Sequence, residues 1–235
     1  MAGDKVDITR ADRGFRIVAL VLYWIGLILL AHIRIPRQIQ ESGLPDKGLH
    51  ILAYMGLTML LWGAARPTQR VDWRGASAWV VLLVVVLYGL LDEWSQRFIA
   101  GRTADPMDLV ADALGALATL GMMRFLWFWD AAMALLAGGL IVLTNICWVD
   151  LKALMPGGDY VFYLIGYGAF ATMWVFTRSK AKGLLFWTVP SCLILANGLL
   201  GTITGLGPGV GHILVAFTIT IAALAVGRLS YLRPR

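Results

Sequence analysis

Charge is what this chain has least of. Asp, Glu, Lys and Arg make up 14% of its 235 residues, against about 25% in an average soluble domain. Hydrophobic residues reach 59%, and the mean hydropathy is +0.75. That balance excludes an ordinary soluble domain and points to an integral membrane protein. Length then becomes a question of how many spans fit, each needing roughly 20 apolar residues. Cysteine is scarce as well. Cys147 and Cys192 lie inside apolar runs without metal-ligand spacing and read as small buried hydrophobes. With His limited to 3 residues, there is no histidine-rich metal motif, and no Ser-His nucleophile arrangement is visible. The net charge of +6 is spread through loops and termini. Such a distribution suits membrane orientation and headgroup contact, not nucleic-acid binding.

Apolar runs fill the rest. Residues 1–13 are polar and precede a run from Phe15 to about Ile33. No small-x-small cleavage site follows Leu30, so this run reads as a retained first helix and not a signal peptide. Further spans are expected at roughly 49–65, 77–97, 107–126, 131–150, 160–177, 183–201 and 210–228. Backbone in lipid must satisfy its own hydrogen bonds, so the spans should be helices. The expected fold class is all-α, a polytopic transmembrane helix bundle of about eight spans.

Basic residues set the orientation. Lys5, Arg10, Arg13 and Arg16, then Arg66, Arg70 and Arg74, then Arg124, then Arg178, Lys180 and Lys182, and the carboxyl-terminal arginines all fall on one side. Arg34, Arg37, Lys47, Arg97, Arg102 and Lys152 form the smaller set on the other. The positive-inside rule places both termini in the cytoplasm. An odd number of spans would spoil the separation.

Against this background one stretch stands out. Between Tyr88 and Gly115 the chain carries Asp92, Glu93, Gln96, Arg97, Arg102, Asp105, Asp108 and Asp112. Ionisable groups at membrane depth are expensive and read as a functional site. With both termini inside, Asp92 and Gln96 end the third span on the outer side, and Asp108 and Asp112 begin the fourth. Lys47, His50 and Tyr54 begin the second. His50 and Tyr54, Asp92 and Gln96, and Asp108 and Asp112 are each separated by four, so each pair shares a helix face. Three polar stripes are therefore expected to meet beneath the outer membrane face. Asp105-Pro106 resembles a helix start, with Asp105 as N-cap. His32 and His212 read as boundary residues, and Asn145 and Asn197 as bonds between helices. The glycines from Gly205 to Gly211 read as an outward hairpin.

Three motifs carry a resemblance. Asp46-Lys47-x-x-His50-x-x-x-Tyr54, Asp92-Glu93-x-x-Gln96-x-Phe98 with Gly101-Arg102, and Asp108-x-x-x-Asp112-x-x-Gly115 occur in this order. Together they resemble the VanZ-like family of small bacterial membrane proteins, named for a member linked to teicoplanin resistance. The likeness covers about residues 15–125. It implies a bacterial cytoplasmic (inner) membrane protein with this polar site and implies no particular reaction. Asp112 stands where the family commonly has Asn, which makes the pocket more acidic. Ser95 stands where His is frequent.

The second half reads as a faded copy. Asp159-x-x-x-Tyr163-x-x-x-Tyr167 echoes Asp46, His50 and Tyr54; Gly198-Leu-Leu echoes Gly89-Leu-Leu; Leu214-Val-Ala echoes Leu109-Val-Ala. Two four-helix units follow: residues 1–126 carrying the polar site, and residues 127–235 as a degenerate supporting repeat.

The expected function is an outward-facing pocket that binds an anionic envelope lipid or lipid-linked precursor headgroup, with modification or movement of that headgroup as an open extension. Lys47, Tyr54, Gln96, Arg97, Arg102 and Asp112 are the expected binding residues. His50, Asp92, Glu93 and Asp108 are the candidates for chemistry, and Asp92, Glu93, Asp108 and Asp112 for a divalent cation. Membrane lipids are the expected partners. Alternatives are a non-catalytic accessory subunit docked to a membrane-protein partner, and an ion-coupled transporter.

Overall fold

The computed structural model describes residues 3–32, 44–99, 105–145, 159–178, 185–204 and 210–232. Among them run eight α-helices and no strand: α1 Gly3–His32, α2 Leu44–Ala65, α3 Ala76–Gln96, α4 Pro106–Phe125, α5 Phe128–Asn145, α6 Asp159–Arg178, α7 Leu185–Thr204 and α8 Val210–Leu232. Seven of them are long and apolar enough to cross a membrane; α6 is not among these as far as the described residues go. Large apolar side chains such as Leu22 and Leu29 on α1 and Leu83, Leu90 and Leu91 on α3 are exposed along the helix flanks. A soluble protein rarely tolerates such continuous apolar flanks. Lipid covers them: the chain is a multi-pass membrane protein.

Two helices start earlier than their apolar runs. α1 begins at Gly3, where the sequence places a polar segment before Phe15. No proline interrupts residues 3–14, and Asp12 pairs with Arg16 one turn on, which carries the helix through its polar end. α2 begins at Leu44 and not near residue 49. Pro45 falls in its first turn, where the missing N–H has no intrahelical partner to lose.

The chain divides into two compact units, Met1–Ala132 and Met133–Arg235. In the first, α2 and α4 lie closest, made possible by Gly115: a Cβ there would sit 2.5 Å from the Ile51 carbonyl oxygen. Thr119 donates to the Met55 carbonyl one turn further along, at 3.2 Å. Charge sorts to opposite ends of this unit. At one end Arg16 is buried, donates to Pro67 O at 2.8 Å, pairs with Asp12 and lies 4.0 Å over the Phe128 ring. Arg124 reaches Val71 O there, at 3.4 Å, and Arg70 covers the Trp127 ring. Asp92, Glu93, Asp105, Asp108 and Asp112 gather at the other end.

In the second unit, Leu140, Tyr163, Tyr167, Phe170, Ile194 and Ala216 form the core. Asn197 on α7 donates to Thr144 Oγ1 at 2.9 Å and to the Tyr167 hydroxyl, and it accepts from Asn145. The expected bonding of Asn145 and Asn197 between helices is present. Cys192 corrects the sequence reading: it is exposed on α7, because it falls on that helix's outer flank. Cys147 and the hairpin glycines Gly205, Gly207 and Gly209 lie outside the described residues, as does Arg102.

Candidate functional site

Helix ends build the site. The first turns of α2 and α4 and the last turns of α3 meet at one end of the first unit. Asp105 is the N-cap of α4: its backbone is extended, its side chain accepts from the Met107 amide, and Pro106 opens the helix. This fixes where Asp108 and Asp112 emerge, one turn apart on the face turned inward; both are buried.

Lys47 closes α2 against α4. Its Nζ donates to Asp105 Oδ2 and to Asp108 Oδ1, each at 2.6 Å. Asp105 lies just outside the spans. The hydrogen bond from Lys47 holds its carboxyl below the ordinary carboxylate range, and the Met107 amide helps. One turn deeper, His50 Nδ1 sits 2.9 Å from Asp112 Oδ1, and its Nε2 lies 3.7 Å from Asp108 Oδ2. If Asp112 is ionised it can only accept, which puts a proton on Nδ1; in the neutral imidazole Nε2 then carries the lone pair. A nitrogen so presented can accept a proton or ligate a metal.

α3 supplies the third wall. Glu93, at 6% exposure, accepts from the Asp105 amide through Oε2 at 3.0 Å, while its Oε1 is buried with no hydrogen-bond partner. Gln96 Nε2 donates to Asp92 Oδ2 at 3.2 Å, so these two pair along their own helix. Ser95 donates to the Asp92 carbonyl. Asp112 reaches this wall because residue 89 is glycine: a Cβ there would stand 2.8 Å from Asp112 Oδ2. That oxygen is also without a hydrogen-bond partner. The Tyr54 hydroxyl interacts with Asp112, yet neither group closes a well-aligned bond.

Aromatic rings pack beneath the polar cluster. His50 stacks on Tyr54 (6.5 Å between centroids, 15° between planes), Tyr54 tilts onto Tyr88, and Trp24 of α1 meets Tyr88 edge-on. Tyr88 and Trp24 are neighbours of the cluster that motif reading passes over. Neither is ionisable at neutral pH, and Trp24 comes from a helix with no motif of its own.

The three motifs thus converge. Lys47, His50, Tyr54, Glu93, Asp105, Asp108 and Asp112 form one connected group, with Asp92 and Gln96 beside it. Arg97 is exposed just past the end of α3. Among the described residues, the group whose donor atoms lie within 4.8 Å of one another is His50, Glu93 and Asp108. The cation set expected from the sequence was Asp92, Glu93, Asp108 and Asp112. In the fold Asp92 accepts from Gln96 and Asp112 Oδ1 is taken by His50, leaving Glu93 and Asp108 in common.

Comparison with known proteins agrees with the motif reading. No curated protein and no solved structure matches the chain. The family model described as VanZ/LLP1 matches residues 15–128, which contain the whole of the site just described. Over that stretch, 114 of the 235 residues, the chain matches the VanZ-like family.

Proposed function

We propose that this site holds the polar headgroup of an anionic envelope lipid or lipid-linked precursor, from the extracytoplasmic side of the bacterial cytoplasmic membrane, with both termini inside. The observation that carries the reading is where the polar groups stand. Ionisable side chains from three helices are gathered at span ends, the depth at which headgroups lie, and not at mid-membrane where transporter sites are usual. Lys47 keeps about a third of its side chain exposed (35%), and Arg97 stands exposed at the same end. Arg102 follows in the connection to α4. The segregation of Arg13, Arg16, Arg66, Arg70, Arg74 and Arg124 to the opposite end supports the orientation.

The second unit, on this reading, is a degenerate copy of the first in a supporting role. In each unit the second and fourth helices lie closest, and the second carries a stacked ring pair four residues apart: His50 with Tyr54, and Tyr163 with Tyr167. Gly89 abuts the fourth helix at Leu109, and Gly198 does so at Ile213.

Native mass spectrometry of the purified protein tests the reading. A retained anionic lipid is expected, released by Arg97→Ala or Arg102→Ala while the protein stays monodisperse. The accessory-subunit reading has its own support, since Lys47 is already held by two aspartates as in a locked structural network. A lipid-free preparation with a stoichiometric protein neighbour would overturn the headgroup reading in its favour.

A further inference from the structure

We propose that His50, Glu93 and Asp108 bind one divalent transition-metal ion, with Asp112 as the residue that positions His50. These ligands come from α2, α3 and α4, so the fold itself brings them within 4.8 Å. The spacing fits an ion better than a hydrogen bond. His50 Nε2 and Asp108 Oδ2 are 3.7 Å apart, beyond hydrogen-bond reach. Two ligands held about 2.1 Å from a tetrahedral ion stand about 3.4 Å apart.

Three further features point the same way. Metal-bound histidines usually donate their other ring N–H to a carboxylate, which fixes tautomer and ring orientation. His50 meets Asp112 in that manner, at 2.9 Å, with the Asp112 side chain almost wholly buried (1% exposed). Glu93 is anchored through Oε2 by the Asp105 amide, leaving the buried Oε1 without a protein partner. A buried polar atom of this kind calls for a water or an ion as its partner. Lastly, the carboxyl groups of Glu93, Asp108 and Asp112 are buried side by side, with Lys47 paired to Asp108 and His50 to Asp108 and Asp112, and a dication would offset the negative charge gathered there.

The donor set selects the metal. One imidazole nitrogen with two carboxylates suits Zn2+ or Mn2+, whereas Mg2+ and Ca2+ favour all-oxygen surroundings. Three protein ligands leave a position open, the arrangement of a catalytic and not a closed structural centre. If the headgroup reading holds, a phosphate oxygen takes that position, which explains how so acidic a pocket accepts an anion. The metal itself does not depend on that reading.

The test uses full-length protein in detergent, without added lipid and stripped with EDTA, titrated with Zn2+ against a competing chelator. One ion per chain is expected. His50→Ala and Glu93→Gln should each weaken binding by at least about 100-fold, and Asp112→Asn by about 10–100-fold. Asp92→Asn should change it only a few-fold. Should the ligand variants fail to fold, Mn2+ bound to the wild-type chain decides the matter: its spin-echo spectrum should show nitrogen coupling from one imidazole. No stoichiometric ion, no nitrogen coupling, or affinity unchanged in folded His50→Ala would overturn the site. Because lipid is absent throughout, such a failure leaves the headgroup question to the mass-spectrometric measurement.

Discussion

Single residues decide how closely the helices of the site can approach. Gly115 is the sharpest case, because the atom a Cβ would strike is backbone, the Ile51 carbonyl, and backbone in a helix yields little. Gly115→Ala should therefore part α2 from α4, and overpacking of this kind costs about 1–3 kcal/mol. The check is the thermal midpoint of the detergent-solubilised variant; an unchanged midpoint would refute the close approach. Asp105 offers a second test at this scale. Its carboxyl is held low by Lys47, so its contribution to stability is complete above the ordinary carboxylate value and is lost as pH falls through its folded value. Acidification below about pH 4 should lower the melting temperature, and Asp105→Asn should remove part of that decline. Identical acid limbs in the two proteins would dismiss the clamp. The residues of the site were legible from type and spacing: Lys47, His50, Asp108 and Asp112 stand out in apolar sequence. Which oxygen faces which nitrogen was not, because spacing along a helix says nothing about the rotation of its neighbour.

At the scale of elements, polar side chains fasten helices that lipid gives no hydrophobic reason to associate. In the second unit Asn197 ties α7 to Thr144 and Asn145 of α5 and to Tyr167 of α6. Asn197→Ala should cost about 0.6–2 kcal/mol, visible as a lower melting temperature. Metal binding at His50, Glu93 and Asp108 should stay as in the wild type. A variant that melts normally would show that the network contributes no stability. The start of α4 was readable in advance, since Asp105-Pro106 is a local signal that needs no tertiary partner. The starts of α1 and α2 were less so. Their polar or proline-containing first turns look like loop by hydropathy, yet an Asp12–Arg16 pair and a first-turn proline are both compatible with helix.

At the scale of the molecule in its membrane, the separation of basic and acidic ends in the first unit makes a prediction about orientation. With Cys147 and Cys192 replaced, a cysteine at Phe98 should react with an impermeant maleimide in intact cells. One at Gln69 should react only after permeabilisation. The reverse pattern would invert the orientation and turn the site toward the cytoplasm.

Composition and hydropathy alone were sufficient to determine a polytopic helical membrane protein, since an apolar chain in lipid has few ways to satisfy its backbone. The order and spacing of three motifs sufficed to locate the polar site and the family. Only the tertiary structure decided the grouping within it: His50 with Asp112, Lys47 across Asp105 and Asp108, and Glu93 in place of Asp92 beside the histidine. The physical reason is that these pairings rest on how α2, α3 and α4 turn against one another. That rotation is set by small contacts such as Gly89 against Asp112 and Gly115 against Ile51, between residues far apart in the chain.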